Sequence, residues 1–285
     1  MVEHASDFLE YHGYLLDPIS KVMLFQIAIL DDYGAWNWDL RIVGVVSFLL
    51  LGGIRVVFGK RLGIDWYAFL HAIISTAGSF MCLYLDIMAS EALTGKAEPF
   101  RAVEDCTGPL TSLHRIVPAI TAGYAIFDLV DGLQISFDFA LHGVATLFVM
   151  VLFCQHAPQI MAPMIFMEGS TIFLNLVKAK FLSATASKIN QVCFVVSFFM
   201  CRLVVIPYHW GKLMRGLLGA QQKCYSFSFF LVCLIGGMFF HVLNAYWFRK
   251  ILRKASRRLM QQEKYNERNE FADEADRNTP KVKRV

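Results

Sequence analysis

Charge is scarce in this sequence. Of 285 residues only 18% are Asp, Glu, Lys or Arg, while 56% are hydrophobic. Soluble domains average about 25% charged and 45–50% apolar residues. The polar residues are too few to coat a soluble fold of this length. Other absences narrow the class further. No Cys-x-x-Cys spacing occurs, and Cys82, Cys154, Cys193, Cys201 and Cys233 lie within apolar runs. There the thiol behaves as a small hydrophobe, so no metal site is expected. No Asn-x-Ser/Thr sequon with a permitted middle residue is present. The opening stretch MVEHASDFLEYHGY is acidic where a cleavable signal peptide has a basic start, which leaves targeting to the first span. No internal repeat and no low-complexity run interrupts the chain.

What the sequence has instead is long apolar runs. A helix needs roughly 20 apolar residues to cross the hydrocarbon core. Candidate spans fall at about 41–58, 66–88, 113–134, 138–155, 159–177, 189–208 and 226–248. The runs are continuous rather than alternating, so helices and not barrel strands are the spanning element. The reading is an all-α, polytopic transmembrane helical bundle of about seven spans, with six as the alternative. The fourth and fifth runs are short and are separated only by Gln155, His156, Ala157 and Pro158. They form either a tight hairpin or a re-entrant segment. Three regions follow: residues 1–39 as a lumenal N-terminal segment, 40–250 as the membrane domain and 251–285 as a cytosolic basic and disordered tail. Residues 18–30 are apolar but too short to span, and read as an interfacial helix.

Charge sets the orientation. Residues 249–258 read RKILRKASRR, a basic flank of the kind that stays cytosolic. With that end in the cytosol, seven spans place the acidic N-terminus in the lumen. The loop with Lys60 and Arg61 and the loop with Lys178 and Lys180 become cytosolic. The loop at 89–112 becomes lumenal, and Lys212, Arg215 and Lys223 are the misfit on that side. Cys106 and Cys224 then share the lumenal side, where a disulfide is chemically permitted.

The informative residues are the ionisable ones inside spans, each costing at least about 2.5–3.5 kcal/mol at a helix centre unless paired or wet. The candidates for an interior polar cavity are His71, Asp128, Asp131, His142, Glu168, Asn175 and Arg202. Asp128 and Asp131 are three apart, Asp138 and His142 four apart, so each pair shares a helical face. Asp138 serves equally well as an N-cap of the fourth span. Arg202 is expected to pair with Asp128, Asp131 or Glu168. His241 and Asn244 read as interhelical glue.

These segments also carry a family likeness. IDWYAFLHAIISTAGS, GYAIFDLV with the His142 stretch, MEGSTIFLNL followed by FFMCRLVVIP, and the final HVLNAYWF resemble, in order and spacing, the TRAM–LAG1–CLN8 (TLC) domain proteins, and in particular their TLCD branch. The resemblance covers roughly residues 40–250. It implies a role in membrane lipid homeostasis at the endoplasmic reticulum, with membrane lipids as partners, no nucleic acid and no cofactor. The family includes ceramide synthases, which transfer an acyl group from acyl-CoA to a sphingoid amine. Their adjacent His pair is here reduced to His142, between Leu141 and Gly143, and only Glu168 stands where their Asp pair falls. An acyltransferase would use His142 as general base with Asp128 or Asp138 orienting it, and acyl-CoA as co-substrate. A transporter is the third reading. The terminal KVKRV places Lys281 and Lys283 in the spacing of an endoplasmic-reticulum retrieval signal read by coat proteins.

Overall fold

The computed structural model describes residues 39–95, 111–220 and 226–278. The segment 18–30, Cys106, Cys224, Lys281 and Lys283 lie outside the described residues. Among the described residues every regular element is helical. A π-turn at Asp39–Val43 leads into α1 (Gly44–Phe58). A short 3-10 turn, Arg61–Gly63, precedes α2 (Trp66–Thr94). Next come α3 (Leu113–Ile135), α4 (Phe137–His156), α5 (Pro158–Met164), a 3-10 turn at Ile165–Glu168 and α6 (Gly169–Leu176). α7 (Ala184–Phe198) runs through a π-turn, Phe199–Val205, into α8 (Ile206–Ala220). α9 (Phe227–Asn278) closes the chain.

Five of these rods are long and apolar enough to cross a bilayer: Arg41–Phe58, Arg61–Ala92, Leu113–Ile135, Ala184–Leu218 and Phe227–Arg257. The other two are α4 and the broken rod α5–3-10–α6, which is continuously helical over Pro158–Leu176. The protein is thus an all-α membrane bundle. The sequence expectation ended the second span near residue 88 and began the sixth near 189. The helices run on past the apolar stretch at both places, because Gly95 in the left-handed region (φ 70°) stops α2 and Ser183 caps α7 by accepting from the Ala186 amide.

Proline explains the breaks. Pro163 lacks an amide hydrogen, so α5 tightens into the 3-10 turn, and Ser79 donates to the Pro163 carbonyl at 2.9 Å. Pro207 follows the π-turn of the α7–α8 rod, where the same missing donor disturbs the i→i−4 ladder. All seven residues of α5 are buried, including Pro158 and Gln159.

Chain contacts divide the molecule into two compact units, Met1–His241 and Val242–Val285. The second is a continuation of α9. In the first, α3 and α4 form a hairpin with Ser136 as its only connecting residue. A Cβ on Gly132 would lie 2.7 Å from the Ala140 nitrogen, and one on Gly143 2.6 Å from the Leu129 backbone. Two glycines therefore set this backbone-to-backbone crossing, a familiar solution where burial of apolar surface cannot drive helices together. α1 packs on α3 in the same way, Gly123 facing the Gly44 carbonyl and Phe48 stacking on Phe127 at 4.7 Å. The loop after α1 and the loop after α6 share one end of the bundle. The Lys180 amide donates to the Leu62 carbonyl at 2.8 Å, and Gly63 (φ 79°) fits directly against the Lys178 carbonyl.

Candidate functional site

α2 is antiparallel to α3, and the seam between them is polar along its length. Tyr67, His71, Ser75, Ser79, Asp86 and Ser90 recur at helical spacing on one face of α2, and all are buried. Opposite them on α3 stand Asp131, Asp128, Tyr124, Thr121 and His114. Near the α1–α2 loop, Asp131 accepts from Arg55 of α1 at 2.5 Å and from the Tyr67 hydroxyl. The Arg55 guanidinium also lies over the Tyr67 and Phe127 rings at 5.3 and 5.6 Å. One step deeper, the His71 ring stacks on Tyr124 with centroids 3.8 Å apart and planes 4° off parallel. His71 Nε2 reaches the Thr121 hydroxyl at 3.3 Å, and Ser75 reaches the same oxygen at 3.3 Å.

The centre of the bundle holds a carboxylate–imidazole contact and an ion pair. Asp128 Oδ2 lies 3.6 Å from His142 Nε2 of α4, and its other oxygen accepts from Tyr124 at 3.4 Å. Arg202 sits inside the π-turn between α7 and α8. Such a turn rotates the following side chains relative to an unbroken helix and is common at functional positions. The guanidinium donates from Nη2 to Glu168 at 3.2 Å and to Thr171 at 3.2 Å, and from Nε to Ser170 at 3.0 Å. It also covers the Phe198 ring at 5.3 Å. Glu168 lies in the 3-10 turn that Pro163 imposes. The charges of Asp128, His142, Glu168, Arg202 and His71 fall within electrostatic reach of one another. Asp128, Glu168, His142 and Arg202 are 23%, 13%, 14% and 6% exposed at the side chain, so the two carboxylates and the imidazole retain some surface while the guanidinium is enclosed.

The candidates from the sequence therefore separate. His71, Asp128, His142, Glu168 and Arg202 are brought together. Asp131 is not: although it shares a helical face with Asp128, it is taken up by Arg55 and Tyr67. Asn175 donates to the Thr171 carbonyl of its own helix at 2.9 Å rather than to a charged group of the cluster. Asp138 is the second residue of α4 rather than its cap, bonded to the Ser136 hydroxyl at 2.6 Å, so Asp128 is the carboxylate at His142. Sequence reasoning missed Arg55, which lies inside the first span, three residues before its end. It also missed the pair Asp86–His114, 3.1 Å apart and almost fully buried, with Thr111 3.0 Å from the other imidazole nitrogen. The regular spacing of polar residues along α2 was the signal that could have found Asp86. Among the described residues no cluster suited to a metal ion occurs.

Chemically, the centre offers a carboxylate–imidazole pair beside a neutralised arginine–carboxylate pair, in a setting where polar groups are costly to bury. That arrangement can hold a polar headgroup or move a proton at His142 Nε2. Comparison with curated proteins and with solved structures returns no match. The family model described as the TLC domain matches residues 61–253, about two thirds of the chain, and that span contains every residue of the central cluster. The chain belongs to the TRAM–LAG1–CLN8 (TLC) domain family.

Proposed function

We propose that this protein acts in membrane lipid homeostasis, binding or regulating lipid through the Asp128–His142–Glu168–Arg202 cluster. Membership of the TLC family supports a role in lipid metabolism or sensing. The observation that carries the reading further is the convergence of ionisable residues from α3, α4, the 3-10 turn and the α7–α8 π-turn, with Asp128 and Arg202 inside membrane-length helices. The lipid contacted is of the acyl-chain or sphingolipid class to which the family likeness points. The likeness to the TLCD branch favours a regulator or sensor over a synthase. The protein resides in the endoplasmic reticulum, its N-terminus lumenal and its C-terminus cytosolic, with Lys281 and Lys283 offering a retrieval signal to coat proteins.

A second reading rests on the 3.6 Å approach of His142 to Asp128. An imidazole held by a carboxylate is the equipment of a general base. On that reading His142 takes a proton from an amine or hydroxyl that attacks acyl-CoA, and Lys60, Arg61, Lys178 and Lys180 at the shared loop end face the nucleotide phosphates. Lipidomic profiling after deletion, with wild-type and His142→Ala rescue, separates the two. A broad acyl-chain shift rescued fully by the wild type and in part by His142→Ala is expected. Loss of one lipid species rescued only by the wild type would instead establish the acyltransferase.

A further inference from the structure

α9 leaves its apolar stretch at Phe248 and continues without a break to Asn278. Its first turns outside that stretch carry Arg249, Lys250, Arg253, Lys254 and Arg257, all exposed. At 100° per residue these five cations fall within one arc of about 140°, while Ile251, Leu252 and Ala255 occupy the opposite side. No Asp or Glu occurs from Val242 to Gln262, so nothing in this stretch of the helix neutralises the arc. Acidic residues begin only at Glu263.

Distance decides what such an arc meets. From Arg249 to Arg257 the helix rises about 12 Å. The headgroup layer on each side of the hydrocarbon core is about 5–7 Å deep. A further 8 Å or so lies within one Debye length at physiological salt. All five cations are therefore within reach of the phosphates of the leaflet from which the helix emerges. An equally basic helix on a soluble protein would point to nucleic acid; continuity with a membrane span points to the bilayer.

One residue interrupts the pattern. Ser256 is exposed, lies beside Arg249 and Arg253 on the wheel, and stands in the sequence Arg253-Lys254-Ala255-Ser256. Basic residues two and three positions before a serine are what a basophilic protein kinase recognises. We propose that the basic arc of α9 is a binding surface for anionic phospholipid headgroups, and that phosphorylation of Ser256 switches it off. In that step the γ-phosphoryl group of ATP passes to Ser256 Oγ, the hydroxyl proton leaves and ADP is released. The phosphate adds about −1.5 to −2 charges at the edge of a +5 arc. Its oxygens take hydrogen bonds from the neighbouring arginines, removing them from lipid. The surface depends on α9 alone and stands apart from the lipid reading of the central cluster.

The test uses the full-length protein in mixed micelles of phosphatidylcholine with 20 mol% phosphatidylserine, with the lipid retained after purification as readout. The forms compared are the wild type, a variant with Arg249→Gln, Lys250→Gln, Arg253→Gln, Lys254→Gln and Arg257→Gln, and Ser256→Ala. Each cation near the surface contributes about a fivefold factor at low salt. The wild type is expected to retain phosphatidylserine at least threefold above the bulk ratio, and to lose that enrichment in 1 M salt. The five-Gln variant should sit at the bulk ratio while keeping the helix content and monodispersity of the wild type. Treatment with a basophilic kinase and ATP should more than halve the enrichment of the wild type and leave Ser256→Ala unchanged. Undiminished enrichment in the five-Gln variant would overturn the binding surface. Equal phosphate incorporation into wild type and Ser256→Ala, or incorporation without loss of enrichment, would overturn the switch.

Discussion

At the scale of single residues, Arg202 carries the largest electrostatic stake. Its guanidinium donates from Nη2 to Glu168 and Thr171 and from Nε to Ser170. Arg202→Ala would strand Glu168 in a buried site, and a loss of about 3–5 kcal/mol is expected in detergent unfolding curves. Arg202→Lys should recover only part of it, since an ammonium cannot reproduce the guanidinium fork. Equal stability of Arg202→Lys and wild type would mean that the fork geometry is idle. Arg55 offers the contrast. It is 34% exposed at the side chain and lies in the last turn of α1, so Arg55→Ala should cost only about 1 kcal/mol. The costly residues were legible in the sequence because charge inside an apolar run stands out by itself. Partnership was not legible, since a pair such as Arg55 and Asp131 is fixed by how α1 leans on α3. Helical spacing correctly put Asp128 and Asp131 on one face, but it could not assign them to different neighbours. Asp86 and His114 were overlooked because they lie near the ends of their apolar runs, where a charge reads as a loop residue.

At the scale of elements, glycine and proline set the geometry. Gly143 faces the Leu129 backbone with no room for a methyl group, and backbone cannot rotate aside as a side chain can. Gly143→Ala is expected to destabilise the α3–α4 hairpin by about 3 kcal/mol, at the upper end of overpacking costs. Gly236→Ala, with open space around its Cβ, is the internal control. It should be neutral or stabilising by up to about 1 kcal/mol, from helix propensity alone. Comparable losses in both would show that helix flexibility rather than close packing governs these positions. The sequence located the α3–α4 boundary well, since Ser136 separates two apolar runs. The fifth rod was harder. Pro158 and Pro163 together with a 19-residue length admit both a span and a re-entrant loop. In the structure it is a helical rod with a 3-10 centre, and that centre is what carries Glu168.

At the scale of the whole molecule, the contact between the Leu62 carbonyl and the Lys180 amide fixes which loops share a side. Single cysteines at Lys60 and Lys178 should react with a membrane-impermeant maleimide from the same side, and a cysteine at Arg215 from the other. Labelling of Lys60 and Lys178 from opposite sides would break the seven-rod topology. The one-residue corner at Ser136 has a consequence for how the chain is made. Asp128 of α3 meets His142 of α4 only across that corner, while Asp131 waits for Arg55 from an earlier helix. If α3 entered lipid alone, it would expose the Asp128 carboxylate to hydrocarbon, at about 2.5–3.5 kcal/mol on insertion scales. The corner also leaves too little chain for the two helices to be handled as separate insertion events. The expected outcome is that Leu113–His156 enters the bilayer as one helical hairpin. Leu113–Ile135 placed alone behind a soluble leader should remain extractable by alkaline carbonate, whereas Leu113–His156 in the same setting should resist it.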